Sequence, residues 1–414
     1  PDFMKTVGII AEYNPFHNGH AYQIAQAKKV TGAQYCIIIM SGNFVQRGAP
    51  AIMDKYTRTR AALTGGTDLI IELPVHYATA SAEYFAAGAA ALLDKLGIDC
   101  LCFGSECGNI QTLSDTADLL LAESTEYKEL LQKKIRSGMP YPQAREAALC
   151  ALSPHLAGQA DILRSPNNIL GLEYLKALKK SGSRIIPYTI KRTGASYHDS
   201  ALQSTCSSAL AIRETIALSQ DMQLVKDQMP SSVYEIMEAE YGKTFPVFPS
   251  DLSSLLAYKL LAEETEGFCG YFDIDESLSD RIRKCLPAYQ DAVSFCDRLK
   301  TKNTTYTRIS RALLHILLNI LQTDMDIFCR EGYVYYARIL GFQKESAPLL
   351  SKMKADSSIP LITKLADAAA RIFSENGRRM LEQDILASHI YSLLVHTKFG
   401  QGIQNEYKRQ IITL

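Results

Sequence analysis

The sequence predicts an α/β fold: a doubly wound parallel sheet in residues 4–220, followed by an all-α domain in residues 221–414. Three observations predict it. Short β-rich runs alternate with helical patterns through residues 5–104. A glycine flanked by histidines lies between the first such strand and the first helix. Beyond residue 220 the pattern changes to the three-to-four spacing of amphipathic helices, with no strand run of comparable strength.

In chain order, Val7–Ala11 reads as a buried strand and Gly19–Val30 as a helix. Tyr35–Met40 is a second apolar run, Lys55–Leu63 a second helix, and Leu69–Ile71 a third strand. A helix over Ser81–Leu96 leads to a fourth strand, Ile98–Phe103. Residues 109–150 read as solvated helix, Asn167–Lys180 as a helix, Arg184–Ile190 as a strand and Ser204–Leu218 as a closing helix. Strands and helices alternating in this way build parallel βαβ units, whose ligands sit at the carboxyl ends of the strands. The Pro-rich stretch from Pro230 to Pro249 reads as a connection. Ser253–Glu264, Ser310–Leu321, Ile359–Phe373 and Glu382–Val395 then read as helices.

Composition narrows the class. The 414 residues carry 44 Lys plus Arg against 44 Asp plus Glu, so a nucleic-acid partner would need a local basic patch. The ten cysteines are irregularly spaced and form no C-x-x-C pair, which fits buried thiols in a reducing compartment. No signal peptide or apolar run of membrane-spanning length is present, so a cytoplasmic protein without a membrane partner is expected. Met4 reads as the natural start. Nothing in the sequence calls for an obligate protein partner.

The chemistry concentrates in Glu12-Tyr13-Asn14-Pro15-Phe16-His17-Asn18-Gly19-His20. A strand-to-helix turn points backbone N–H groups and the positive end of the helix dipole into a pocket, which favours an anion. Gly19 permits close approach. His17 and His20 bracket it and are suited to donate hydrogen bonds to a phosphate as charge develops there. The bland alternative is a pair of solvated loop histidines.

His17-Asn18-Gly19-His20 matches the H-x-G-H signature of the nucleotidyltransferase superfamily. The longer string Gly8–His20 resembles the tRNA(Met) cytidine acetate ligase family, as do Ile70–Pro74, Phe103–Glu106, Ser165–Gly171 and Ile190–Arg192. The resemblance spans the whole chain and implies a Rossmann-like sheet of nucleotidyltransferase type. It implies a two-step reaction: acetate attacks the α-phosphate of ATP, and the N4 amine of the wobble cytidine of elongator tRNA(Met) then takes the acetyl group. The ATP site so implied runs over Val7, Gly8, Ile9, Ile10, Ala11, Glu12, Tyr13, Asn14, Pro15, Phe16, His17, Asn18, Gly19 and His20, with His17 and His20 catalytic.

Other segments join this site with structural alternatives beside them. Gly104 permits packing of a ligand ring or is a turn glycine. Asn167 and Asn168 read a base or ribose, or cap a helix. Lys191 and Arg192 hold the β- and γ-phosphates, or form a surface pair. Ser207, Ser208 and Arg213 cradle the triphosphate, or open an ordinary helix. Magnesium is expected with ATP, yet no metal ligand is assigned; Asp54, Asp68, Glu72 and Glu106 are candidates only. Ala11, Phe16 and Met40 are candidates for an acetate pocket. Arg298, Lys300, Lys302, Arg308 and Arg311, in a window free of acids, form the expected RNA-binding patch, or a solvated helix end. A second acid-free run carries Lys176, Lys179, Lys180, Arg184, Lys191 and Arg192. Two other readings stay open: an adenylyl transferase acting on a phosphorylated small molecule, and a non-catalytic RNA-binding protein that holds ATP.

Overall fold

The computed structural model describes residues 4–122, 124–139, 141–152, 162–192, 207–302 and 304–414. Its strands are β1 (Thr6–Ala11), β2 (Tyr35–Ser41), the short hairpin β3 (Phe44–Val45) and β4 (Ala49–Pro50), β5 (Leu69–Leu73), β6 (Cys100–Ser105), β7 (Ile186–Lys191), β8 (Ala337–Phe342), β9 (Leu361–Ile362) and β10 (Ile412–Thr413). One eight-stranded sheet runs β10-β8-β5-β2-β1-β6-β7, with β9 also on β8. The β5-β2-β1-β6-β7 portion is parallel, with Ala11 opposite Met40 and Gly104 opposite Ile190.

The apolar runs are continuous because both faces of this sheet are covered. In β2, Cys36, Ile38 and Met40 enter one core cluster, while Ile37 and Ile39 enter another. Chain direction sets the site. The strands progress outward from β1 through β2 to β5, then cross to β6 on the other side of β1. Neighbouring strands whose connections leave in opposite directions open a crevice at their carboxyl ends, here between β1 and β6.

Local chemistry explains the helices that border this crevice. The helix Asn18–Thr31 is capped by His17 and ends at Gly32 in the left-handed region. Pro166–Ser181 starts with proline, which needs no N–H partner there, and ends at left-handed Gly182. Ala209–Ser219 is capped by the Ser208 side chain, which accepts from the Ala211 N–H. Positions 204–206 of the helix predicted here lie outside the described residues. No helix among the described residues is long and apolar enough to cross a membrane.

The expected all-α C-terminal domain needs correction. β8, β9 and β10 all come from residues 221–414, and β8 pairs antiparallel with β5 inside the central sheet. Its sequence, Ala337-Arg338-Ile339-Leu340-Gly341-Phe342, is apolar on both faces because both faces are buried. Such a run has no period of two to separate it from a helix segment. The predicted helix Ile359–Phe373 is also corrected: it contains β9, a turn of 3-10 helix at Leu365–Asp367 and a short helix Ala368–Arg371. The other three predicted C-terminal helices overlap observed ones: Ser253–Glu263, Tyr306–Leu317 and Glu375–Phe399.

Candidate active site at the first strand-to-helix turn

β1 delivers the chain to Glu12 and Tyr13, the latter in the left-handed region at φ 48°. The loop that follows is pinned from three directions. The Asn14 side-chain oxygen accepts from the Ile52 N–H at 2.8 Å, and the Asn14 carbonyl accepts from Arg213 Nη1 at 2.5 Å. Arg58, fully buried, donates to the carbonyls of Glu12 (2.6 Å), Ser41 (3.0 Å) and Met53 (3.0 Å), and also to that of Gly42. One guanidinium thus ties the ends of β1 and β2 to the start of the helix Lys55–Thr64.

Backbone N–H groups lock both histidines. His17 Nδ1 accepts from the Gly19 N–H at 3.1 Å, and His20 Nδ1 accepts from the His17 N–H at 3.2 Å. An Nδ1 that accepts cannot carry the proton of a neutral imidazole, so both rings bear it on Nε2. The rings stack with centroids 3.7 Å apart. Tyr13 meets His20 edge-on at 4.7 Å. Burial, then the charges of Arg192 and Arg213, lowers His17 to about 3. Burial, then His17 and Arg192, holds His20 well below the ordinary histidine range. Both rings are therefore neutral N–H donors over the physiological range.

A cleft of about 180 Å³ opens beside them. Of the sequence-predicted residues, Ile10, Ala11, Glu12, Tyr13, Asn14, His17, His20, Gly104, Asn167, Arg192, Ser208 and Arg213 line it. Gly104 is there for space: a Cβ would lie 3.3 Å from Arg192 Cγ, so the arginine stem passes over it. Glu106 positions Asn167, accepting from its Nδ2 at 2.7 Å, and caps the helix through the Asn168 N–H at 2.9 Å.

Other predicted residues stand outside the lining. Val7, Gly8 and Ile9 are buried within β1, and Pro15 is buried in the loop. Phe16 is buried against Gly65. Asn18 donates to the Asp227 carbonyl at 2.9 Å, and Gly19 acts through its N–H on His17. Asn168 is buried, and its side-chain oxygen accepts from the Cys107 N–H at 3.0 Å. Lys191 is exposed beside Gly108. Ser207 is buried, its N–H donating to Gln228 at 2.9 Å. Met40 is buried in the sheet.

The candidate metal ligands are engaged elsewhere. Asp54 caps the helix Lys55–Thr64, Asp68 pairs with Lys28 at 2.6 Å, Glu72 pairs with Lys55 at 2.7 Å, and Glu106 serves the asparagines. Among the described residues no three His, Cys, Asp or Glu side chains group as metal ligands. The acid-free windows of the sequence are not acid-free in space. Lys300 pairs with Asp297 (2.6 Å), Arg308 with Asp275 (3.7 Å) and Arg311 with Asp273 (4.0 Å), while Arg298 and Lys302 are exposed. Lys176 and Lys179 pair with Glu173 and Asp118, both at 2.7 Å.

The sequence gives Glu106 only as a candidate metal ligand, not as the partner of the asparagines, and it does not point to Arg58 or to the lining residues Gln46 and Arg47 of the β3–β4 turn. No motif marks Arg58, Gln46 or Arg47; their roles come from contacts with loops distant in sequence.

Known proteins resemble this chain over its full span. The family pattern described as HIGH Nucleotidyl Transferase matches residues 4–406. The tRNA(Met) cytidine acetate ligase of Acetivibrio thermocellus is 38% identical over 416 residues, covering 99% of this chain and 100% of that protein. The chain belongs to the tRNA(Met) cytidine acetate ligase family. The ligase of Halothermothrix orenii is 42% identical, covering 94% of this chain and 95% of that one. The apo crystal structure of Thermotoga maritima TmcAL superposes with a TM-score of 0.91 at 31% identity, covering 99% of this chain and 100% of that one. The same protein bound with alpha-thio ATP gives 0.89 at 30%, again covering 99% and 100%.

Proposed function

We propose that this chain is an ATP-dependent acetate ligase that acetylates N4 of the wobble cytidine of elongator tRNA(Met). The observation that carries the reading is the pair of neutral, tautomer-fixed imidazoles at a helix entry, beside Arg192 and Arg213. In the first step an acetate oxygen attacks the α-phosphorus, the bond to the β-bridging oxygen breaks, and pyrophosphate leaves with the electron pair. The Nε2–H groups of His17 and His20 donate to oxygens that gain charge on this path, and being preoriented they need no rearrangement. Arg192 and Arg213 hold the polyphosphate, with Lys191 at the rim. Gly104 and Asn167 place the nucleoside, Ser208 adds a hydroxyl at a helix N-terminus, and Asn168 and Ser207 support these contacts from behind. In the second step the cytidine N4 attacks the acetyl carbonyl, the carbon–oxygen bond to AMP breaks, AMP leaves, and one amine proton is released.

Acetate itself is the nucleophile, so no cysteine is required; burial raises the thiols of Cys36, Cys100 and Cys102 away from the thiolate form. Among the described residues the cleft offers one carboxylate, Glu12, so magnesium would be held by the oxygens of the nucleotide, and no step is assigned to it. Residues 4–220 carry the ATP chemistry. Residues 221–414 bind tRNA through Arg298, Lys300, Lys302, Arg308 and Arg311, and the ion pairs described above make that binding modest and salt-sensitive. The setting is the cytoplasm, without an obligate protein partner.

The test is mass spectrometry of elongator tRNA(Met) incubated with the protein, ATP and isotopically labelled acetate. Label on the anticodon cytidine is expected. Pyrophosphate release that needs a phosphorylated small molecule, and not acetate, would favour an adenylyl transferase instead. ATP binding without turnover would favour a non-catalytic binder.

A further inference from the structure

The cleft straddles β1. On the β6 and β7 side stand Gly104 and Arg192, at the crevice where the strand connections diverge and a nucleotide fits. On the β2 side stand Gln46 and Arg47, at the turn of the β3–β4 hairpin. This turn is held at both ends. The Gln46 N–H donates to the Glu12 carboxylate at 2.9 Å, which ties it to the histidine loop. The Gly48 carbonyl accepts from the buried Ser310 hydroxyl at 2.7 Å. Gly48 has φ +74°, and a Cβ there would lie 2.3 Å from the Arg311 nitrogen, so the turn lies directly on the helix Tyr306–Leu317. That helix also carries Arg308. Among the described residues the Gln46 carboxamide has no hydrogen-bond partner, although its own backbone is anchored.

We propose that the β3–β4 turn is the receptor for the acceptor nucleotide, with Gln46 orienting its base. The inference rests on the ligase reading above. A carboxamide matches the Watson–Crick edge of cytosine: its oxygen accepts one N4–H, and its NH2 donates to N3. Held this way, N4 keeps its lone pair free to approach the acetyl carbon from above the ring. Arg47, the next residue, meets the phosphate of the same nucleotide. An RNA strand on Arg308 and Arg311 reaches the cleft across this turn. Gln46 is therefore a specificity and positioning residue of the second step, and the first step proceeds on the other side of β1.

Two half-reactions separate these roles. Acetate-dependent exchange of pyrophosphate into ATP reports the first; single-turnover acetylation of a tRNA(Met) transcript with cytidine at the wobble position reports the second. For Gln46→Ala, transfer is expected to fall roughly 100-fold, the scale of a lost positioning contact, while exchange changes by less than about threefold. Gln46→Glu keeps the size but loses the NH2 donor and should show the same split, which guards against a folding defect in the alanine variant. Arg47→Ala should raise KM for the transcript roughly tenfold and flatten its salt dependence by about one ion. Exchange and transfer falling together, or transfer unchanged in both Gln46 variants, would overturn the proposal. A wild-type protein with neither half-reaction would instead sink the ligase reading, and this inference with it.

Discussion

The cleft and the buried ionic cluster both gather charged side chains from segments far apart in the chain, one open to solvent and the other closed to it. In the cluster, Lys55 meets Glu72 and Glu406 at 2.7 Å each, and Arg338 meets the same two carboxylates at 3.3 and 2.6 Å. Two cations face two anions, all nearly excluded from solvent, and Tyr56 and Ser388 take up remaining hydrogen-bond capacity. In the cleft, Arg47, Arg192 and Arg213 stand with one carboxylate among the described lining residues, Glu12. The comparison teaches that charge by itself marks nothing. A closed set out of reach of solvent fixes the fold across distant segments, whereas cations beside oriented N–H donors in an open cleft suit an anion.

The largest expected effect comes from unbalancing the closed set. Glu406→Gln leaves Lys55 and Arg338 sharing one carboxylate, and a buried pair broken in this way costs about 3–5 kcal/mol. Denaturant unfolding would measure it, and at permissive temperature pyrophosphate exchange should stay near wild type. A loss of exchange without a loss of stability would break the comparison. Next comes the open set. His17→Ala or His20→Ala should lower acetate-dependent exchange by about 10²–10³, the usual scale for removing one preorganised donor, with ATP binding retained. The two variants should not be additive, because the two rings stack directly on one another and each supports the other's position. Arg213→Lys loses the fork that reaches Asn14 and should cost roughly tenfold in kcat/KM for ATP, visible in a titration of exchange rate.

The smallest effect is on pH. His17 is lowered to about 3 in the fold against about 6.5 when unfolded. Below about 6.5 the unfolded chain takes up a proton that the folded chain refuses, so stability held above that pH drains as pH falls toward 3. His76, lowered to about 3 by burial first and then by His315 and Arg379, adds the same slope. Exchange rates, in contrast, should show no histidine inflection near 6.5. A bell-shaped profile with an acid limb at that pH would show a cationic imidazole at work and would overturn the neutral-donor account.

The parts of this molecule that could be read from the sequence are those whose partners are close in the chain. His17, Gly19 and His20 form one turn, and their mutual hydrogen bonds span two or three residues. The strands β1, β2, β5, β6 and β7 were legible as apolar runs between helices. β8 was not, because its Arg338 is balanced by Glu72 and Glu406, residues far away in sequence. Lys55, Thr57, Arg58 and Thr59 look like a solvated helix face and are all buried. Gln46 and Arg47 reach the cleft through a turn whose seat, the helix Tyr306–Leu317, lies more than two hundred residues later. The acid-free basic windows misled for the same reason: their counter-charges arrive from elsewhere in the chain.

The insertion of β8 between β5 and β10 bears on how the protein comes into being at the ribosome. The sheet that supports the first crevice is completed by strands at Ala337–Phe342 and Ile412–Thr413, and Lys55 is neutralised in part by the distant Glu406. During synthesis the histidine turn emerges more than three hundred residues ahead of these segments, so its supporting sheet has an open edge and an unneutralised buried lysine until they are made. Nascent chains halted before residue 400 should therefore be vulnerable to proteases and chaperone capture, even with every histidine and arginine of the cleft already made.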